Sequence, residues 1–263
     1  WSGFISLEAE EIDKERGVIR EEWRTGATAN RRMWKEGNKQ KYPNSQYAKR
    51  DVIGDTAVIN HFAYDTLRAY YKKWYRPDLQ AIVVVGDVNV ALVEEKIKSI
   101  FADIPLVENP AERIFYPIQE NEEPIVLIVT DQEATASVLG VEMKYSQMPK
   151  AKKLSQEGYL EYLSVGLIET MFQNRLEKEV KKKDCPFVES SVQHGSLNRL
   201  TDAFAVYVVS KPGKERESFR ELLEQIEKVR RYGFLSTELE RAKKDFLAIY
   251  TKAYNERKIR KRI

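Results

Sequence analysis

Cysteine is nearly absent. Cys185 is the only one in 263 residues, so no intramolecular disulfide can form and a cysteine-based zinc cluster is excluded. Histidine is almost as scarce: His61, in VINHFAYD, and His194, in VQHGS, are the only two, and neither has a second histidine three or four positions away. No apolar run approaches the ~20 residues that a membrane-spanning helix needs; the longest, AIVVVG and PIVLIV, have the length of strands. An excess of one charge is lacking too. Lys and Arg total 44 against 41 Asp and Glu, a net charge of +3, too near balance for the field of the whole chain to select a nucleic acid or a membrane. What is present suits a folded protein: 42% apolar and 32% charged residues, in a length that accommodates two domains, each with its own core. The chain opens at Trp1 with neither an initiator Met nor a signal-peptide pattern, which leads us to expect a piece of something longer.

Residues 5–36 carry almost no turn chemistry and repeat charged residues at helical spacing. This predicts one long charged helix, with Gly17 as a weak point of about 1 kcal/mol. The loop KYPNSQYAKRDVIGD ends it. From Thr56 to Trp74, apolar and aromatic residues from Ile59 through Leu67 and Tyr71 keep i, i+3, i+4 spacing and predict a second helix with one buried face. YRPD stops that helix, because a proline disfavours helical backbone at the residue before it. LQAIVVVGDV reads as a strand closed by a glycine turn, and NVALVEEKIKSIFADIP as an amphipathic helix capped by Asn89. Residues 106–123, LVENPAERIFYPIQENEE, mix prolines with charges without a period, so we place there the connector between a first domain, 1–105, and a second, 124–263.

In the second domain PIVLIVTDQ, TASVLGVEMKY, FVESSVQHGS and TDAFAVYVVSKPG read as strands. LSQEGYLEYLSVGLIETMFQNRLEKEVKKK reads as one long helix or two, KERESFRELLEQIEKVRRYG as another, and the final helix opens with a capping box from Thr237 to Glu240. The pattern of that last helix runs on toward Ile263, so the second domain is expected to be cut short as well. Both halves contain the order strand, glycine turn, amphipathic helix, a hint of duplication. The fold class is α+β: two related sheet-plus-helices domains.

The segment EIDKERGVIREEW, residues 11–23, raises the question of chemistry. Glu15 and Glu22 are seven residues apart, so on a helix they point within about 20° of each other while standing about 10.5 Å apart along the axis. They share a face but cannot share a metal, since carboxylate-to-zinc distances are about 2.0–2.2 Å; at most one is a direct ligand while the other supports it. Read alone, the pair is an ordinary solvated helix face.

The order of motifs adds a second reading. DKERGVIREEW resembles the segment of the pitrilysin and insulinase family of zinc metallopeptidases of the form Glu-Arg-x-Val-Ile-x-x-Glu, with Glu15, Arg16, Val18, Ile19 and Glu22 in its positions. YPNSQYAKRDVIGD and LRAYYKKWYRPDLQAIVVVGDV follow as in that family, and LIETMFQNRLEKEV with FAVYVVSKPG resembles its second, non-catalytic paired domain. The resemblance implies that Glu22 is the third zinc ligand, facing inward to the ion, and Glu15 the upstream carboxylate that supports the site. It implies Zn2+ as cofactor and peptides or small unfolded proteins as substrates, enclosed between two homologous halves or subunits. The family's His-x-x-Glu-His, which supplies two ligands and the general base, is missing here. The resemblance places it several tens of residues before Glu22, upstream of this chain, so the chain alone is expected neither to hold catalytic zinc nor to cleave peptides.

Other candidates have plainer readings. His61, beside Phe62 on the second helix, is expected to be packed or half-exposed, and His194 to sit in a turn before Gly195. VVVGDV has one glycine, far from a phosphate-binding fingerprint. Cys185 follows a lysine run that would lower its pKa, but no base is near it in sequence. Tyr70, Tyr71, Trp74 and Tyr75 beside Lys72, Lys73 and Arg76 suit core packing before a stacking platform for single-stranded nucleic acid. Two competing functions remain: a non-catalytic family member acting as a structural or partner subunit, and a basic nucleic-acid-binding module. The first is disfavoured because a subunit relieved of zinc has no need of buried ligand carboxylates, which cost energy when unpaired. The near-neutral charge disfavours the second.

Overall fold

The structure, a computed structural model, describes residues 2–260; Trp1 and the last three residues of the basic terminus ERKIRKRI, 261–263, lie outside the described residues. The chain divides into two compact units, Trp1–Ile114 and Phe115–Ile263. No helix among the described residues is long and apolar enough to cross a membrane.

The first unit is helical. α1 spans Ala9–Gly26 and α2 Ala29–Lys41, where one helix over 5–36 was expected. The helix breaks because Thr28, just past Gly26, takes extended backbone and its hydroxyl accepts the Arg31 N–H at 3.3 Å, capping a new helix. Gly17 lies inside α1 and interrupts nothing. α3, Gln46–Lys49, is a single turn within the predicted loop, capped by Ser45.

The expected helix over 56–74 is also two: α4, Thr56–His61, capped by Asp55, and α5, Tyr64–Trp74. Phe62 and Ala63 between them are extended. Ile59 is buried, and Leu67, Tyr71 and Trp74 are half-buried on one face, as the spacing predicts. A short 3-10 turn at Pro77–Leu79 follows, and then α6, Val90–Ile100, with the Asn89 side chain accepting the Leu92 N–H at 3.2 Å.

The strand expected at LQAIVVVGDV does not form. Among the described residues no strand pairs with 81–85, and Val83 and Val85 are 81% and 91% exposed. A β-branched run supplies propensity, but a strand exists only when a neighbour takes up its N–H and C=O groups. PIVLIVTDQ fails for the same reason: residues 124–130 form no strand, and Val126 and Ile128 are 85% and 84% exposed.

The second unit holds the sheet. β1, Val138–Ser146, then α7, Lys150–Lys153, and the single long α8, Gln156–Val180, lead to the hairpin of β2, Phe187–Ser196, and β3, Thr201–Ser210. α9, Glu215–Tyr232, and α10, Ser236–Arg260, complete it. The sheet is antiparallel in the order β1-β3-β2, with Val141 and Val192 both opposite Val206. The hairpin turns on Asn198, whose side chain accepts the N–H groups of Leu200 and Thr201 at 2.7 and 2.9 Å.

Alternate residues of the strands meet the helices. Val206 and Val208 of β3 and Val192 of β2 close on Phe172 and Leu176 of α8 and Leu222 of α9, with Phe187 and Cys185 in the same core. Burial pushes the Cys185 thiol up, against the lowering expected from the lysine run, so it is an inert small hydrophobe. His194 is not in a turn: it lies in β2, its ring stacked 6.0 Å from that of Tyr145.

The final helix begins one residue earlier than its predicted capping box, and the box uses other residues. Glu238 reaches back to the Leu235 N–H at 2.8 Å, whereas Glu240 pairs with Lys243. Glu238 also takes a fork from Arg175 of α8, Nε to Oε1 at 2.7 Å and Nη2 to Oε2 at 2.6 Å.

Leu176 has no exposed surface, so Leu176→Ala should cost about 2–5 kcal/mol through lost transfer energy and a residual cavity. In urea denaturation, its midpoint should fall with the slope unchanged. The Arg175 hydrogen bonds hold the Glu238 carboxyl down to about 2, from an ordinary 4.5. A depressed carboxylate stabilises the fold above its unfolded pKa, and that contribution disappears as pH falls through the window from about 4.5 to about 2. Glu238→Gln should therefore be less stable than the native chain at pH 7, with the gap closing across that window in denaturant titrations at pH 7, 4 and 2.5.

Candidate metal-ligand helix

α1 carries the candidate residues, and its packing decides where they point. Ile12 is its only buried residue, with Arg16 and Ile19 half-buried along the same stripe. At 100° per residue, Glu15 and Glu22 stand about 70–90° around the helix from the centre of that stripe. Both are exposed. The inward-facing carboxylate expected at position 22 is therefore not found within this chain, because the stripe that packs is the one bearing Ile12 and Arg16.

Exposure alone would make them unremarkable surface residues, but their electrostatic surroundings set them apart. α1 contains the acidic residues Glu10, Glu11, Asp13, Glu15, Glu21 and Glu22. Lys14 pairs with Glu10 and Glu11 at 3.0 and 2.9 Å, Arg16 with Asp13 at 3.0 Å, and Arg24 with Glu21 at 2.9 Å. Among the described residues, neither Glu15 nor Glu22 has a side-chain hydrogen bond or ion pair. The sequence dictates this: their neighbours at three and four positions are Glu11, Ile12, Val18 and Ile19 for Glu15, and Val18, Ile19, Thr25 and Gly26 for Glu22. None is basic, so the helical pairing that engages the others is closed to these two.

Arg16, quoted in the motif but given no role, makes the contacts that fasten α1. Its guanidinium donates from Nη2 to the Phe62 carbonyl at 2.7 Å, from Nη1 to the Ile59 carbonyl, and from Nε to Asp13. It lies 3.9 Å over the Phe62 ring. The Tyr64 hydroxyl donates to the other oxygen of Asp13 at 2.6 Å. That bond, with help from Arg16, holds the Asp13 carboxyl below the usual carboxylate range and pushes the Tyr64 phenol up. The available signal was an arginine directly beside a helix stripe of apolar residues.

Chemically, an exposed carboxylate without a cationic partner is an oxygen donor open to a metal ion. The donor type at Glu22 fits zinc as one ligand. A full set is not present: among the described residues, no group of three or more His, Cys, Asp or Glu side chains could hold a metal. His61 is exposed at the end of α4 and His194 is stacked in β2.

Residues 61–246 match the family described as the peptidase M16 inactive domain, a span that begins after α1 and leaves Glu15 and Glu22 outside it. A zinc protease PQQL-like protein of Arabidopsis thaliana is 30% identical over 193 residues, covering 73% of this chain and 20% of that protein. The crystal structure of the periplasmic protease PqqL from Escherichia coli superposes with a TM-score of 0.87 at 20% identity, over 98% of this chain and 28% of that one. The first half of the same protease gives 0.85 at 20% identity, over 98% and 54%. At such identity the structural likeness carries the fold alone. The chain spans about a fifth of the length of the curated Arabidopsis relative it matches. With most of its residues inside the family match, it belongs to the M16 family, the pitrilysin and insulinase group of zinc metallopeptidases that its motifs resemble.

Proposed function

We propose that this chain is part of a zinc-dependent endopeptidase, in which Glu22 supplies one zinc ligand and Glu15 a supporting carboxylate. The two histidines and the general base come from a segment upstream. The observation that carries this reading is that the carboxylates at the two family positions are the ones on α1 that no basic side chain answers. Residues 1–105 are then the later part of the catalytic domain, 106–123 the connector, and 124–263 the paired non-catalytic domain. The runs at 81–85 and 124–130, which pair with no strand among the described residues, support the same reading, since their backbone groups stand ready for further strands. Peptides or small unfolded proteins are the substrate class, enclosed together with a second homologous half or subunit.

Zinc, when bound, lowers the pKa of a water and polarises the scissile carbonyl. The chain's own part is positional. Glu22, exposed and without an ion pair, can place an oxygen on the ion without first breaking a salt bridge. Glu15, about 10.5 Å away along the axis, is too distant to share that ion and instead supports a ligand from behind. A segment seated on the exposed flank of α1 would exclude water around both.

The description of the matched family as an inactive domain favours a second reading, a non-catalytic member serving as a structural or partner subunit. A buried unpaired carboxylate would count against a subunit relieved of zinc, but both carboxylates are exposed here, so that cost is absent and does not separate the two readings. The upstream sequence does: His-x-x-Glu-His in the full gene product is expected, and its replacement favours the subunit.

Metal binding provides the direct test. The EDTA-stripped 263-residue chain should take up no stoichiometric zinc and cleave no peptide, whereas the full gene product should bind one zinc per site. In that product Glu22→Gln should weaken zinc by more than about 100-fold, and Glu15→Gln by about 10–100-fold, the range for outer partners of a ligand. Tight stoichiometric zinc on the short chain, or full zinc affinity after Glu22→Gln, would refute the assignment.

A further inference from the structure

We propose that Arg16 is a positioning residue: by fixing the rotation of α1 about its own axis, it sets where Glu15 and Glu22 point. This rests on the zinc-ligand reading above and goes beyond it, because it assigns the geometry of the site to a residue that touches neither metal nor substrate.

α1 has 18 residues, of which only Ile12 is buried. A helix anchored by one buried and one half-buried isoleucine, Ile12 and Ile19, resists pulling away but hardly resists rolling, since non-directional contacts survive a small rotation. Directional bonds do not. The Arg16 side chain is 13% exposed, and all three guanidinium nitrogens are committed: Nε to Asp13 on its own helix, Nη1 to the carbonyl of Ile59, Nη2 to that of Phe62. The two carbonyls belong to the end of α4, where carbonyl groups have run out of helical donors. The same guanidinium thus caps α4 and pins α1, and it lies against the Phe62 ring that follows the cap. From the second oxygen of Asp13, the Tyr64 hydroxyl extends the clamp to the start of α5.

The geometry makes the clamp consequential. With side chains at about 5–6 Å from a helix axis, a roll of some 20° moves a carboxylate by about 2 Å. Metal–ligand distances tolerate only about 0.2 Å. Lysine cannot substitute, because one ammonium has no planar fork to span two carbonyls and a carboxylate while stacking on a ring.

Two measurements test this. In the 263-residue chain, amide hydrogen exchange of residues 9–26 and 56–63 should accelerate by about 10-fold or more in both Arg16→Met and Arg16→Lys, while the β1–β3 sheet stays at native rates. Native exchange in both segments would overturn the clamp. In the full gene product, zinc affinity of the folded protein, read by chelator competition, should fall about 10–100-fold; kcat should fall with KM little changed, and Arg16→Lys should not rescue either. Lower thermal stability with native zinc affinity and kcat would make Arg16 merely structural and overturn the positioning role alone. A native gene product that binds no zinc would instead overturn the ligand reading, and the positioning role with it.

Discussion

A backbone group buried away from water must find a hydrogen-bond partner, and the two units answer that demand in different ways. β3 is hydrogen-bonded along both edges, to β1 and β2, and most of its side chains are buried. A continuous apolar core forms around it, from α8 across the sheet to α9. Among the described residues the extended run 81–85 of the first unit has no strand on either edge, and no equivalent core forms. There, long polar side chains reach backbone carbonyls instead. Arg16 takes Ile59 and Phe62, Arg68 takes Leu7 at 3.0 Å, Arg76 takes Ala111 at 2.6 Å, and Gln80 takes Ser2 at 2.8 Å. The arginine bonds are charge-assisted, directional and individually stronger than neutral ones, which suits them to fixing helices that share little apolar surface.

This difference explains which elements could be read from sequence. β2 has the expected bounds, β3 starts where TDAFAVYVVSKPG does but ends at Ser210, before its Lys-Pro-Gly, and α6 begins just past its predicted cap, Asn89. Local pattern was sufficient there because the partners lie within the same unit. The break between α1 and α2 was also legible in principle, since Gly26 followed by Thr28 is a stop and a cap in succession. The break at Phe62 had no such signal. No glycine, proline or capping side chain marks it, and the carbonyls freed there are taken by an arginine more than 40 residues away in sequence. The runs at 80–85 and 124–130 were misread for the opposite reason: their composition is that of strands, but composition cannot report whether a partner strand is present.

The candidate site was legible in part. Spacing alone places Glu15 and Glu22 on a shared face, and the resemblance gives that face a chemical meaning. What spacing did not give was which face packs. Ile12, Arg16 and Ile19 form the stripe, and the two carboxylates flank it. The absence of a base at three or four positions from either glutamate could have been read directly from the sequence and is the more specific signal, since it distinguishes these two from Glu10, Glu11 and Glu21 on the same helix. In the second unit the histidine and the cysteine are absorbed by stacking and by the core.

The unpaired carboxylates are cheap for the chain to hold, though not free. At about 10.5 Å in water their mutual repulsion is about 0.4 kcal/mol, and ordinary salt, with a screening length near 8 Å, reduces it further. Glu22 carries an additional burden. It lies within four residues of the end of α1 at Gly26, where exposed carbonyls make the helix terminus negative and a carboxylate costs about 0.3–1 kcal/mol. The basic residue of that last turn, Arg24, is engaged by Glu21, and Thr25 bonds backward to the carbonyls of Glu21 and Glu22 without adding charge. Nothing on α1 offsets the charge at position 22. A cation bound there would meet the carboxylate and the negative helix end together, so the same arrangement that slightly destabilises the free helix would favour the metal-bound one.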